Sequence, residues 1–369
     1  MLSWLKDKSL WGAITSTSLA AGLLTTLVVS TLAAPTSIVG QDCAARLSDP
    51  APLTTPDREW LERCVSAFTI PSSGPTTGPP TITSPPVTSH PPSTPVTSTP
   101  TPPPTTAPST SWPTPATTGV PAFWQPAQTR STNLTVSNGA VVQDILFTNG
   151  ADIIVSSGTA TVRRVLLQGG RVSNAGCGVV TIDQTTFRRP GGTVTDSDQE
   201  GAVTPGGWRV TRSLFDGVTE GLRAGQKARC GANNISDSFI RIQAPDVCSD
   251  WHGDGIQGYD GGPLTVRNVT IDFQERGGCG GTAPLFYPRN QGNTSVDIDR
   301  LLVKGGGYSF RLGMPGTVRN LKIVQDWGYG PIDVRCSVVS AWSAHIVTVD
   351  SNWQPTDVRT QACNTESGF

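Results

Sequence analysis

The densest run of groups able to move protons in this chain is Cys248-Ser249-Asp250-Trp251-His252-Gly253-Asp254-Gly255-Ile256-Gln257-Gly258-Tyr259-Asp260. It holds one of only three histidines, and an imidazole titrates close enough to neutral pH to exchange protons. Asp254 reads as a general acid or base, with His252 orienting it or taking the proton itself. Hydrolysis of a glycosidic bond needs a second carboxylate about 5 to 9.5 Å away, and Asp250, Asp333 and Glu220 are the candidates. Elimination beside a uronate carboxylate needs one base and a cation that acidifies the proton, a part open to Arg223, Lys227 or Arg311. The plainer reading of Asp250, Asp254 and Asp260 is turn chemistry, since Asp before Gly marks bends. Their spacing also offers oxygen ligands to calcium, but no calcium-loop signature accompanies them, so no cofactor is implied and no residue is assigned to a metal.

Several short segments align with this cluster. Gly221-Leu222-Arg223, Gly255-Ile256-Gln257, Leu285-Phe286-Tyr287, Ser309-Phe310-Arg311 and Pro331-Ile332-Asp333 fall into register with Leu222, Ile256, Phe286, Phe310 and Ile332 pointing inward. Side chains alternate faces along a strand, so Arg223, Gln257, Tyr287, Arg311 and Asp333 are expected to form a column on one outer wall. Such a wall suits a sugar-binding groove: planar groups for hydroxyls, cations for uronate carboxylates, and rings for stacking. Trp251, Tyr259, Tyr287, Tyr308 and Trp327 can supply the rings, and Gln257 and Lys227 polar contacts. The alternative is a solvated face whose Arg–Asp pairs stabilise little.

What must position these residues is a repeat. Val141-Val142-Gln143-Asp144-Ile145-Leu146-Phe147, Thr161-Val162-Arg163-Arg164-Val165-Leu166-Leu167, Thr265-Val266-Arg267-Asn268-Val269-Thr270-Ile271 and Thr317-Val318-Arg319-Asn320-Leu321-Lys322-Ile323 share an apolar residue, two polar ones, then alternating apolar positions. The polar pair fits a bend between short strands, with Asn268 and Asn320 at equivalent bends as stacked turn residues, and the alternation fits a strand with one buried face. No amphipathic helical period separates the units, so a βαβ barrel is poorly supported and stacked coils are the better solution. A β-sandwich is the rival. The expected fold is all-β, a right-handed parallel β-helix over residues 129–369.

On these V-R-N units and His252-Gly253-Asp254-Gly255-Ile256-Gln257, the stretch from about Thr129 to Ser340 resembles the pectin-lyase-like superfamily of right-handed parallel β-helices, which includes pectate lyases, polygalacturonases and phage tailspikes. The resemblance implies the fold more than an activity, because that fold hosts lyases, hydrolases, epimerases and binding proteins. Polygalacturonases carry an Asn-Thr-Asp, an Asp-Asp pair, a Gly-His-Gly and an Arg-Ile-Lys. Here stand a single Asp in Asp254-Gly255, Trp251-His252-Gly253 and Arg241-Ile242-Gln243. Neither the Trp-Ile-Asp-His nor the Arg-x-Pro-x-x-Arg element of pectate lyases is present, so no catalytic residue is carried over. The expected function is an exported lyase or glycoside hydrolase on an acidic polysaccharide, with Asp254, His252, Arg223, Arg311 and Asp333 near the reacting centre. The alternative is a non-catalytic β-helix that binds glycans or belongs to the cell envelope.

The rest of the chain bears on location. Lys6 and Lys8 precede an uncharged apolar stretch from Leu10 to Ala34, which reads as an export signal ending at Leu32-Ala33-Ala34-Pro35 or as a retained anchor, over residues 1–34. Residues 41–70 form a small segment in which Thr55-Pro56-Asp57 starts a short helix. Residues 71–122 are a linker, nearly all Pro, Thr and Ser, that cannot bury enough apolar surface to order itself. Eight cysteines agree with an oxidising, extracellular or cell-surface location. Local loop closure suggests Cys43–Cys64, Cys230–Cys248 and Cys336–Cys363, leaving Cys177 and Cys279 to each other. A net charge of -1 without any basic block argues against nucleic acid and, beyond the N-terminal segment, against membranes. The expected partner is a polysaccharide or surface glycan, met by a monomer.

Overall fold

Each recurring unit folds as two short strands meeting at one residue with left-handed backbone. Asp144, Arg164, Gln184, Arg212, Asp237, Asn268, Arg300 and Asn320 all take positive φ, between 48° and 60°. Asn and Asp tolerate this conformation best, and their short side chains then reach the neighbouring bend. Asn268 donates to Asp237 Oδ1 at 2.7 Å, and Asn320 to Asp299 Oδ1 at 2.7 Å. Arg164 sits at the same bend and is held by two hydrogen bonds to Asp144, at 2.7 and 2.6 Å. The bend read from the V-R-N units is therefore present, in units whose bend residue is not Asn as well.

The computed structural model describes residues 111–195, 201–225, 230–248, 250–276 and 279–368. The export segment, the Cys43 and Cys64 segment, the linker up to residue 110 and Lys227 lie outside them. The described chain is all-β with mostly parallel sheets, an arrangement compatible with a β-helix. In a 15-stranded sheet, equivalent strands pair in sequence order: Ala140 with Ala160, Ala160 with Val180, Val180 with Trp208. A 9-stranded sheet runs through Leu134–Val136, Ile153–Val155, Val172–Ser173, Val203–Thr204, Leu222–Arg223, Asp254–Gln257, Ala283–Tyr287, Phe310–Leu312 and Asp333–Val334. Each strand thus borrows its hydrogen bonds from the coils before and after it, and neighbouring rungs lie about 4.8 Å apart. The exception is the final pair, Val339–Val349 with Pro355–Thr360, which is antiparallel.

Between the sheets lies one long apolar core, including Phe147, Val162, Ile182, Phe215, Ile240, Ile271 and Val303, all with no exposed surface. Equivalent positions stack, as Phe187 on Phe215 with ring centroids 4.6 Å apart. The packed region begins well before residue 129. Trp112 is buried against Leu302, Val324 and Val347, under the Arg300 guanidinium at 4.7 Å. From there the segment crosses the coils: Gly119 donates to Arg212 O at 2.8 Å, and Trp124 Nε1 to Asp144 Oδ1 at 3.2 Å. A linker drawn to residue 122 thus runs too far, because Trp112 and Trp124 give the segment rings to bury.

The disulfides correct the expected pairing. Cys177 joins Cys230, Cys248 joins Cys279, and only Cys336–Cys363 is as expected. Proximity along the chain misleads in a stack, where residues a coil or more apart in sequence become neighbours. The three bridges fit an oxidising environment. No helix among the described residues is long and apolar enough to cross a membrane.

Candidate active site

The outer face of the smaller sheet carries the column that alternation predicts, with one change. Register places Arg223, Gln257, Phe286, Arg311 and Asp333 on successive rungs. Phe286 stands where Tyr287 was expected, because Ile256 pairs with Leu285 rather than with Phe286. Leu285-Phe286-Tyr287 has no charged residue to mark the outer face, so its alternation is ambiguous. Tyr287 instead points inward, fully buried, and its hydroxyl donates to Gly262 O. Desolvation pushes its phenol above the ordinary value.

At one end of the column, Arg223 bonds both oxygens of Glu220, Nη2 at 2.8 and 2.9 Å and Nε at 3.1 Å, and its Nε also reaches Gln257 Oε1 at 3.1 Å. At the other end, Nε and Nη2 of Arg311 both lie 3.0 Å from Asp333 Oδ2. The Arg311 guanidinium also covers the rings of Phe286, at 4.9 Å, and Tyr308, at 5.4 Å. Asp333 is four rungs from Arg223, roughly 19 Å, too far to share a reacting bond with a carboxyl at Glu220.

The carboxyls gather one step earlier in the strands. Since Leu222 pairs with Ile256, Glu220 and Asp254 occupy the same position on consecutive rungs. Glu220 is 3% exposed, and burial pushes its carboxyl up to about 7 although the charge and hydrogen bonds of Arg223 pull it down. Asp254 shares the inward parity of Ile256 and is fully buried. Burial first, then the charge of Glu220, raises it well above the usual carboxylate range. Ala283 N donates to its Oδ1 at 3.0 Å, while its Oδ2 has no hydrogen-bond partner among the described residues. A group with no exposed surface touches no substrate, so Asp254 does not stand where the sequence put a proton-transfer residue.

Glu220 does reach open space. It lines a cavity of about 500 Å³ together with Asp152, Arg171, Arg188, Val218 and Thr219. Arg171 Nε lies 3.3 Å from Asp152 Oδ2, whereas Arg188 is exposed and pairs with no carboxylate among the described residues. The sequence offers Glu220 only as one of three candidate second carboxylates and does not single out Asp152, Arg171 or Arg188. A signal existed: Asn133, Asp152 and Arg171 each stand just before an apolar strand of the smaller sheet. They form a ladder, Asp152 N donating to Asn133 Oδ1 and Arg171 N to Asp152 Oδ1, both at 2.9 Å.

The remaining expected residues are scattered. His252 is exposed, its Nε2 2.8 Å from Oδ1 of equally exposed Asp250, an environment unlike that of buried Asp254. Trp251 is buried, stacked on Phe273 at 5.4 Å, and donates through Nε1 to Thr219 O at 3.1 Å, so it supports the turn bearing Glu220 rather than a sugar ring. Tyr259 is half exposed. Asp250, Asp254 and Asp260 do not converge: no group of three or more His, Cys, Asp or Glu able to hold a metal occurs among the described residues. The arrangement presents one reachable carboxyl titrating near neutrality, with Arg223 on it and Arg188 across the cavity. Comparison with protein-family models, with curated proteins and with solved structures finds no match.

Proposed function

We propose that the chain is an exported right-handed parallel β-helix of the pectin-lyase-like kind that cleaves an acidic polysaccharide by β-elimination, with Glu220 as the base. The observation that carries this reading is the cavity-lining Glu220 carboxyl, pushed up to about 7 by burial and set beside arginines. Elimination needs one base and cations for the substrate carboxylate, whereas hydrolysis needs two carboxyls that both reach the bond. Arg188 and Arg171 would meet the uronate carboxylate and acidify the neighbouring carbon. Glu220 takes that carbon's proton, the C–H pair becomes the new double bond, the glycosidic C–O bond breaks, and the proton passes on to the departing oxygen. Arg223 holds the carboxylate in place.

The test is incubation with pectate, alginate and hyaluronan, reading unsaturated ends by absorbance and reducing ends by chemical assay. Expected are unsaturated products, a rate that rises with pH through about 7 as Glu220 ionises, and a loss of about 10²- to 10⁴-fold in Glu220→Gln. Hydrolysis is the second reading: Asp254 stands one rung, about 4.8 Å, from Glu220, and would serve as the second carboxyl only if the strand entrance that buries it opened in the substrate complex. It predicts reducing ends without unsaturation and a rate that falls through the same pH range. Silence on every substrate, with binding retained on a glycan array, would leave a glycan-binding protein and end both enzymatic readings.

A further inference from the structure

We infer that a second cavity, of about 520 Å³, is a binding site for neutral sugar residues, separate from the cavity at Glu220. It is lined by Glu275, Lys304, Asp326 and Trp327 over a floor of Gly305, Gly306 and Gly328. The Glu220 cavity follows the ends of strands Thr186–Arg188 and Leu214–Val218; this one follows the ends of Leu264–Gln274, Val296–Lys304 and Gly316–Val324. Both therefore open at the same corner of the stack. The coil between them carries the loop fixed by Cys248–Cys279 and by Trp251 on Phe273.

Charge sets the ligand class. Lys304 Nζ lies 3.5 Å from Asp272 Oδ1 and 3.8 Å from Asp326 Oδ2, so its charge is balanced within the protein. Glu275 accepts from Gly281 N at 3.3 Å, and burial raises its carboxyl. The cavity thus offers acceptors and no surplus cation, the reverse of the cavity that contains Arg188. A uronate would meet repulsion here, whereas the hydroxyls of a neutral sugar would find acceptors. Trp327 supplies an aromatic face, and the glycine floor leaves room for a ring to lie against it. Next to the cavity Tyr329 is 81% exposed, its ring over Gly307 and 5.7 Å from the ring of Tyr308. A polar cavity beside a large ring held out in water is the arrangement of a sugar platform rather than of a core.

This inference does not depend on the activity proposed for Glu220. The full chain would be screened on an array of neutral and acidic glycans, and hits titrated calorimetrically with cellohexaose, mannohexaose and trigalacturonate. Expected is binding of a neutral oligosaccharide that weakens by about tenfold or more in Trp327→Ala and in Tyr329→Ala. Glu220→Gln should bind it as wild type does, and Tyr329→Ala should cleave acidic polysaccharide as wild type does. Should Trp327→Ala fail to fold, the exposed Tyr329 decides alone. No neutral ligand on the array, or unchanged affinity in Tyr329→Ala together with any folded Trp327→Ala, overturns the inference.

Discussion

Two columns of charge run along the same stack at the same spacing, and the order of their signs sets them apart. On the larger sheet, Asp216, Arg241, Asp272 and Lys304 occupy one position on successive rungs. Arg241 bonds Asp216 at 2.9 Å and Asp272 at 3.2 Å, and Lys304 approaches Asp272 at 3.5 Å. On the smaller sheet Glu220 and Asp254 put two acids on consecutive rungs. Burial does not separate the columns, since Asp272 is 2% exposed and Glu220 3%. What differs is the cations: Asp272 lies between two, Glu220 has Arg223, and Asp254 has none within hydrogen-bonding distance among the described residues. The alternating column holds coils together, while the acid pair is left with proton affinity that chemistry can use.

The largest effect expected from this contrast is on stability against pH. The folded-state carboxyl of Glu220 titrates at about 7, above its ordinary 4.5. Between those values the native state keeps a proton that the unfolded chain has lost, so stability is lost as pH rises through this window, by on the order of 3 kcal/mol. Asp254, also raised, acts in the same direction. Urea unfolding at pH 5 and pH 8 should show a lower midpoint at pH 8, with a smaller difference in Glu220→Gln. Equal differences in variant and wild type would show that Glu220 is not the source.

Next in size is the other column. Asp272→Asn removes the buried charge between Arg241 and Lys304 and should cost about 2 kcal/mol, the scale of hydrogen bonds to charged groups. Turnover should stay as in wild type, because these groups line neither the Glu220 cavity nor its wall. A fall in activity without a fall in melting temperature would mean that the two columns are not independent.

The same contrast explains what the sequence could and could not reveal. Val266-Arg267-Asn268 and Val318-Arg319-Asn320 disclose the bend because Asn is a residue that left-handed backbone favours. Arg164, Arg212 and Arg300 occupy the same bend but carry no such marker. Arg223, Gln257, Arg311 and Asp333 were legible as a wall since each is polar beside an apolar neighbour, whereas Phe286 and Tyr287 could be exchanged without breaking the pattern. Glu220 stands out less in the sequence for a different reason. Its importance comes from burial and from Asp254 on the next rung, 34 residues away in the strand register that joins Arg223 to Gln257, and neither quantity is local in sequence.

A smaller effect is expected from Asp254→Asn. Burial and the charge of Glu220 push the Asp254 carboxyl towards its neutral form, and an amide of the same shape is neutral too and keeps the acceptor for Ala283 N. Elimination therefore predicts turnover within about threefold of wild type and an unmoved pH midpoint. Collapse of activity in a variant with a native melting curve would transfer the chemistry to a two-carboxyl hydrolysis.

The smallest effect belongs to His252, whose place in the densest polar segment of the chain made it prominent. Its ring is 69% exposed and its partner Asp250 84%, a surface pair of the kind that contributes little. His252→Ala should change turnover by less than about twofold and stability by within about 0.5 kcal/mol. The measurement sharpens the comparison because the His252 imidazole and the Glu220 carboxyl are rival bases, one exposed beside Asp250 and one buried beside Arg223. A loss of about a hundredfold or more, the scale of a missing general base, would mean that the Asp250–His252 loop folds onto the substrate during turnover, and the base would then be the imidazole rather than Glu220.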